Sequence, residues 1–113
     1  MVSGFLIILN GFSNTHIGFT YTQSNDRLWR KNRQTVSGST CVGRDINRNW
    51  PYKWEVTGGA STSPCSETYK GEVPGDSPEN LGLRTQVNQL RDSTGIRLYL
   101  DIHSYGQYIL WRE

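Results

Sequence analysis

The sequence predicts an α/β fold, on three observations. A segment with helical periodicity begins near Ser77 and stops at Gly95. An apolar run, Ile96, Leu98, Leu100 and Ile102, follows it immediately and ends at His103. The chain has 113 residues and no internal repeat, which suits one domain with a modest core. Helix, tight turn and apolar strand are the units from which layered α/β proteins are built.

The elements follow in chain order. Gly4 to Leu9 is apolar and reads either as a buried strand or as a short helix; the run alone does not decide. Phe19 to Gln23 alternates aromatic residues with Thr, which predicts a strand. Arg27 to Arg33 is basic, with Leu28 and Trp29 inside it, and Ser37 to Thr40 reads as a turn. From Asn49 to Gly75 the composition is that of loop, with Pro51, Gly58, Gly59, Pro64, Gly71 and Pro74 among many Ser and Thr. A loop of that length is expected to be functional or stapled. Ser77 is placed to cap the helix, and Pro78 fits a first turn that does not need its missing N–H. Glu79 favours the positive end of the helix dipole. Leu83, Val87 and Leu90 then fall on one face, and Gly95 provides the stop.

Composition excludes some functions. Twelve Lys and Arg against ten Asp and Glu leave a net charge of +2, too little to argue for nucleic acid or a membrane surface. The cluster Arg27, Trp29, Arg30, Lys31 and Arg33 has the residue types of a nucleic-acid strip, but acidic residues elsewhere nearly balance it. Phe5 to Leu9 is too short to span a bilayer, and it lacks the basic flank and cleavage site of a secretory signal. Two cysteines, Cys41 and Cys65, are compatible with one disulfide across a Gly/Ser/Thr-rich segment or with two free thiols.

Two short segments carry chemistry. Asp101-Ile102-His103-Ser104-Tyr105 offers an imidazole at a strand end, the place where ligand sites gather in open α/β sheets. Asn47-Arg48-Asn49-Trp50 offers a guanidinium fork beside neutral amides, suited to gripping a carboxylate. A catalytic zinc usually takes three protein ligands, often with two on one element at His-x-x-Glu or His-x-x-x-His spacing. His16 is followed at those places by Phe19 and Thr20, and His103 by Gly106 and Gln107, so neither opens such a pair.

Four segments in order resemble the zinc carboxypeptidases of the pancreatic A/B type. They are Asn25-Asp26-Arg27-Leu28-Trp29-Arg30-Lys31-Asn32-Arg33, Cys41-Val42-Gly43-Arg44-Asp45-Ile46-Asn47-Arg48-Asn49-Trp50, the stretch Gly59 to Tyr69, and Ile102-His103-Ser104-Tyr105. The resemblance runs from about Gly18 to Trp111. It implies a central piece of a mixed sheet flanked by helices. It also implies hydrolysis of C-terminal residues from peptides by zinc-activated water. His103 resembles one zinc ligand of three, and Arg30 the cation that stabilises the oxyanion. Asn47 and Arg48 resemble the clamp on the substrate's terminal carboxylate. Asp45 resembles the acceptor that orients a zinc-ligating His. Arg27, Ser104 and Tyr105 resemble the walls of outer subsites, and Cys41 and Cys65 the family's paired cysteines.

The resemblance also sets expectations about what this chain holds. The family's His-x-x-Glu pair precedes the matching region, and its general-base Glu and mobile Tyr follow it. Thr15-His16-Ile17 stands where the family reads Asn-Pro-Asp-Gly, so residues 1–17 are expected to be a divergent segment, and residues 18–113 a partial catalytic domain, truncated at both ends and inactive alone. The expected partners are peptide or protein C-termini, with neither nucleic acid nor membrane. A monomer is expected for the full-length protein. An extracellular location is expected from the family and the disulfide, without a signal peptide in this chain. Two rival readings are a non-catalytic binder of C-terminal carboxylates and a non-functional gene-model fragment.

Overall fold

The computed structural model describes residues 4–9, 16–56, 58–102 and 108–109. Among the described residues, two strands, β1 (Gly4–Leu9) and β2 (Ile96–Ile102), pair in parallel as a two-stranded sheet. The register runs from Phe5 opposite Leu98 to Leu9 opposite Ile102, after an irregularity between Gly4 and Phe5. The ambiguous first run is therefore a strand. Parallel strands need a long crossover, and here the crossover carries the rest of the structure: helix α1 (His16–Ser24), a 3-10 turn (Ile46–Arg48), and helix α2 (Pro78–Ser93).

Helix α2 forms where the sequence places it. The Ser77 hydroxyl accepts from the Asn80 amide, and Pro78 occupies the first turn. Asn80 is buried and Leu83, Val87 and Leu90 are half-buried, at helical spacing, while their helix neighbours are mostly exposed. At the far end, Gly95 has φ +74° and its N–H reaches back to the Leu90 carbonyl. Glycine adopts that left-handed backbone without steric cost.

Segment 19–23 corrects the sequence expectation, because it is part of α1 and not a strand. The burial decides the period. Gly18, Tyr21 and Thr22 are covered, whereas Phe19, Thr20, Gln23 and Ser24 are exposed. That is an i, i+3, i+4 pattern. The Thr22 and Ser24 hydroxyls bond back to the Phe19 and Thr20 carbonyls, which accommodates polar residues inside a helix.

The long segment 49–75 is irregular, as its composition predicts, but it is held at many points. Ser61 and Tyr69 form an isolated bridge, and Cys41 and Cys65 form a disulfide. Closing a loop of 24 residues is worth about 3 kcal/mol on the chain-entropy model.

The interior among the described residues is largely polar. Its buried hydrophobic side chains are Val36 and Tyr69. The rest of the buried set is a hydrogen-bonded knot. The Arg44 Nε lies 2.8 Å from both Asp76 carboxylate oxygens, and its Nη2 reaches Glu72 at 3.1 Å. Asn49 is fully buried; its Nδ2 lies within hydrogen-bond distance of the Lys70 and Val73 carbonyls and of Asp76 Oδ1, and its Oδ1 accepts from the Ser77 N–H. Asn32 bonds Glu79 through its Nδ2 and accepts the Arg44 N–H at its Oδ1. Gly71, at φ +95°, passes so close that an added Cβ would lie 2.6 Å from Asn49 Nδ2. Buried polar groups cost free energy unless paired, and here nearly all are paired.

This knot yields a prediction. Asp76→Ala leaves the Arg44 guanidinium buried with only the partly exposed Glu72 as a charged partner. It should destabilise the chain by about 3 kcal/mol, read as a lower urea midpoint. An unchanged midpoint would show that the pair contributes little.

Candidate functional site

The candidate site is built on one carboxylate. Asp45 is buried, and its backbone N–H is held by the Tyr69 carbonyl. Its Oδ1 accepts from the Asn47 N–H at 3.1 Å, capping the 3-10 turn that carries Asn47 and Arg48. Its Oδ2 accepts from Arg30, from Nε at 3.1 Å and from Nη2 at 2.9 Å. One side chain therefore sets the start of the Asn47–Arg48 turn and the direction of Arg30.

The two arginines are held differently. Arg30 is 47% exposed while Asp45 is 4% exposed, so the guanidinium is tethered at its inner edge and open on its outer edge. Arg48 is half-buried. Its Nε donates to the Gly59 carbonyl at 2.6 Å and its Nη1 to the Asn47 carbonyl at 3.3 Å. Those two donors are spent on backbone, and the remaining N–H groups bond no acceptor among the described residues. Gly59 has φ +69°, so the Gly58-Gly59 turn that reads in the sequence only as loop serves to aim a carbonyl at Arg48.

Arg27 lies in the turn after α1, exposed and without a hydrogen bond or ion pair among the described residues. His103, Ser104 and Tyr105 lie outside the described residues. The structure thus brings Arg30, Asp45, Asn47 and Arg48 together, and the disulfide pairs Cys41 with Cys65 as the resemblance implies.

The described residues do not fit a zinc ion. Among them, no three His, Cys, Asp or Glu side chains converge as a ligand group. Both cysteines are consumed in the disulfide, and the Asp45 carboxylate already serves the turn and Arg30. What remains is an arrangement of cationic and amide donors, which recognises anionic or developing negative oxygen. Among the described residues, no helix is long and apolar enough to cross a membrane.

We predict that Asp45→Ala weakens the turn and the Arg30 tether together. The expected loss is about 2 kcal/mol of stability, combining a lost cap with a partly exposed ion pair. Faster hydrogen exchange at the Asn47 amide should accompany it, and unaltered exchange there would exclude the capping role.

The chain is similar to proteins of one family. A family described as zinc carboxypeptidase matches residues 18–112. The chain is 47% identical over 93 residues to a metallocarboxypeptidase A-like protein of Trichophyton verrucosum, a match covering 82% of this chain and 22% of that protein. It is similar to the solved carboxypeptidase A of Helicoverpa armigera, with TM-score 0.73, 38% identity, and coverage of 83% of this chain and 22% of that one. It is also similar to bovine thrombin-activatable fibrinolysis inhibitor, solved with a tick carboxypeptidase inhibitor, with TM-score 0.71, 41% identity, and coverage of 80% and 30%. The chain spans about a fifth of the length of the curated relatives it matches.

Proposed function

The chain belongs to the zinc carboxypeptidase family, and from that premise we propose that it supplies the substrate-gripping part of an enzyme that removes C-terminal residues from peptides. The observation that carries this reading is the Arg48 guanidinium, braced on the Gly59 carbonyl and mounted on the same capped turn as Asn47. In this reading Arg48 and Asn47 hold the terminal carboxylate. A half-buried arginine facing an internal amide is left without a charged partner, which is costly; a free C-terminus satisfies it and sets which bond lies next in line. Arg30 faces the carbonyl of that bond and stabilises negative charge developing on its oxygen. Asp45 keeps Arg30 and the clamp in fixed relation. Arg27, Ser104 and Tyr105 contact residues further along the peptide, and His103 is one of the ligands of the family's zinc. A disulfide-bonded member of this family is suited to an oxidising, extracellular setting.

The 113 residues alone are expected to be inactive, because neither His16 nor His103 opens a His-x-x-Glu or His-x-x-x-His pair. Incubation with zinc and a blocked peptide should give no release of the C-terminal residue. Turnover that a chelator abolishes would refute this.

Recognition is separable from turnover. An N-acetylated Gly-Phe peptide with a free carboxylate should bind more tightly than its amide by about tenfold or more, the worth of a charge-assisted hydrogen bond. Arg48→Gln should erase the difference. Equal binding of acid and amide by the unaltered chain would sink the clamp assignment.

A further inference from the structure

The basic cluster after α1 is only partly used by the proposed site. Side chains along this segment go alternately to opposite sides. Arg30 and Asn32 turn to Asp45 and Glu79, whereas Trp29, Lys31 and Arg33 line a cleft of about 340 Å3. The cleft is completed by Tyr21 of α1, by Thr40 and Val42, by the Cys41–Cys65 disulfide and by Glu67.

Arg33 is its unusual feature. The guanidinium carbon sits 3.8 Å from the Tyr21 ring centre and 4.5 Å from that of Trp29, and the two rings meet edge to face at 5.3 Å. The side chain is half-buried, and among the described residues it makes no hydrogen bond or ion pair. Two aromatic faces therefore hold a guanidinium in place, but they offer its in-plane N–H groups no acceptor. Lys31 is the second cation. Its ammonium donates to the Pro64 carbonyl at 2.6 Å and lies 5.8 Å from the Trp29 ring centre. Burial holds its pKa below the ordinary lysine range and Arg33 lowers it further, while Glu67 opposes both. Glu67 is exposed at the rim and forms no ion pair with either cation.

We propose that this cleft is a binding site for an acidic side chain of a polypeptide, whose carboxylate pairs with Arg33 and whose aliphatic stem lies against Tyr21, Trp29 and the disulfide. An arginine fork fixed by stacking loses little freedom when it pairs with a carboxylate. The volume admits one side chain and its neighbour. Glu67 at the rim makes the cleft unfavourable for a strand of closely spaced phosphates. The site is independent of the C-terminal clamp, being lined by different residues on the other side of the segment.

The test uses the 113-residue chain and a peptide that the clamp does not read: acetylated, amidated Glu-Leu-Glu-Leu, titrated with intrinsic tryptophan fluorescence and calorimetry as readouts. Binding is expected, weakened by salt and displaced by sodium sulfate, and lost in the corresponding Gln-Leu-Gln-Leu peptide. Arg33→Gln should weaken it by about 10- to 100-fold, with Arg48→Gln leaving it unchanged. Glu67→Gln should tighten it by removing the competing carboxylate, and this variant leaves the aromatic walls intact should Arg33→Gln disturb folding. Equal affinity for the acidic and amide peptides, or no gain in Glu67→Gln, would overturn the proposal. Loss of binding in Arg48→Gln would also overturn it, by assigning the peptide to the clamp.

Discussion

The ion pair between Arg44 and Asp76 is the constraint on which the described fold depends. With Val36 and Tyr69 the buried apolar side chains among the described residues, the irregular segment is not held by hydrophobic burial alone. It is held because Arg44 and Asn49 reach across sequence separations of 21 to 32 residues to acceptors in the Lys70–Asp76 loop. A buried network of this kind is stabilising only when complete, since each member that loses its partner keeps the cost of its desolvation. Close approach at Gly71 and the fully buried Asn49 are consequences of that requirement.

The same network positions the candidate site. Arg44 and Asp45 are adjacent, and both are buried. The first locks the loop to the start of α2, and the second directs Arg30 and caps the Asn47–Arg48 turn. Asn80, in the first turn of α2, donates to the Ile46 carbonyl at 3.1 Å and so braces that turn against the helix. The candidate side chains are thus mounted on irregular backbone held by polar contacts. Loops fixed in this way place donors with the accuracy that recognition of a planar carboxylate requires.

Much of the fold was legible locally. Ser77, Pro78 and Gly95 mark the ends of α2 through backbone chemistry that any sequence displays, and Leu83, Val87 and Leu90 mark its covered face. Helix α1 was not legible, because its alternation of aromatic residues and Thr satisfies a strand equally well. What favours the helix is tertiary: Tyr21 packs on Trp29 and Arg33, contacts that a local pattern does not contain. By residue type, an arginine beside asparagines suggests an anion clamp. The brace from Gly59 and the sharing of Asp45 between Arg30 and the turn were not legible, because they depend on backbone carbonyls and on partners 11 and 15 residues away.

By itself, the sequence determined the α/β class, the capped helix and the strand after it, and the motifs that resemble one family, because caps, periodicity and motif spacing are local properties of the chain. Only the tertiary structure decided that β1 pairs with β2, that segment 19–23 is helical, and that Arg30 and Arg33 face opposite sides of one segment. Those outcomes are set by which distant groups can satisfy a buried charge or cover an aromatic face. Such partnerships are settled only when the whole chain has packed.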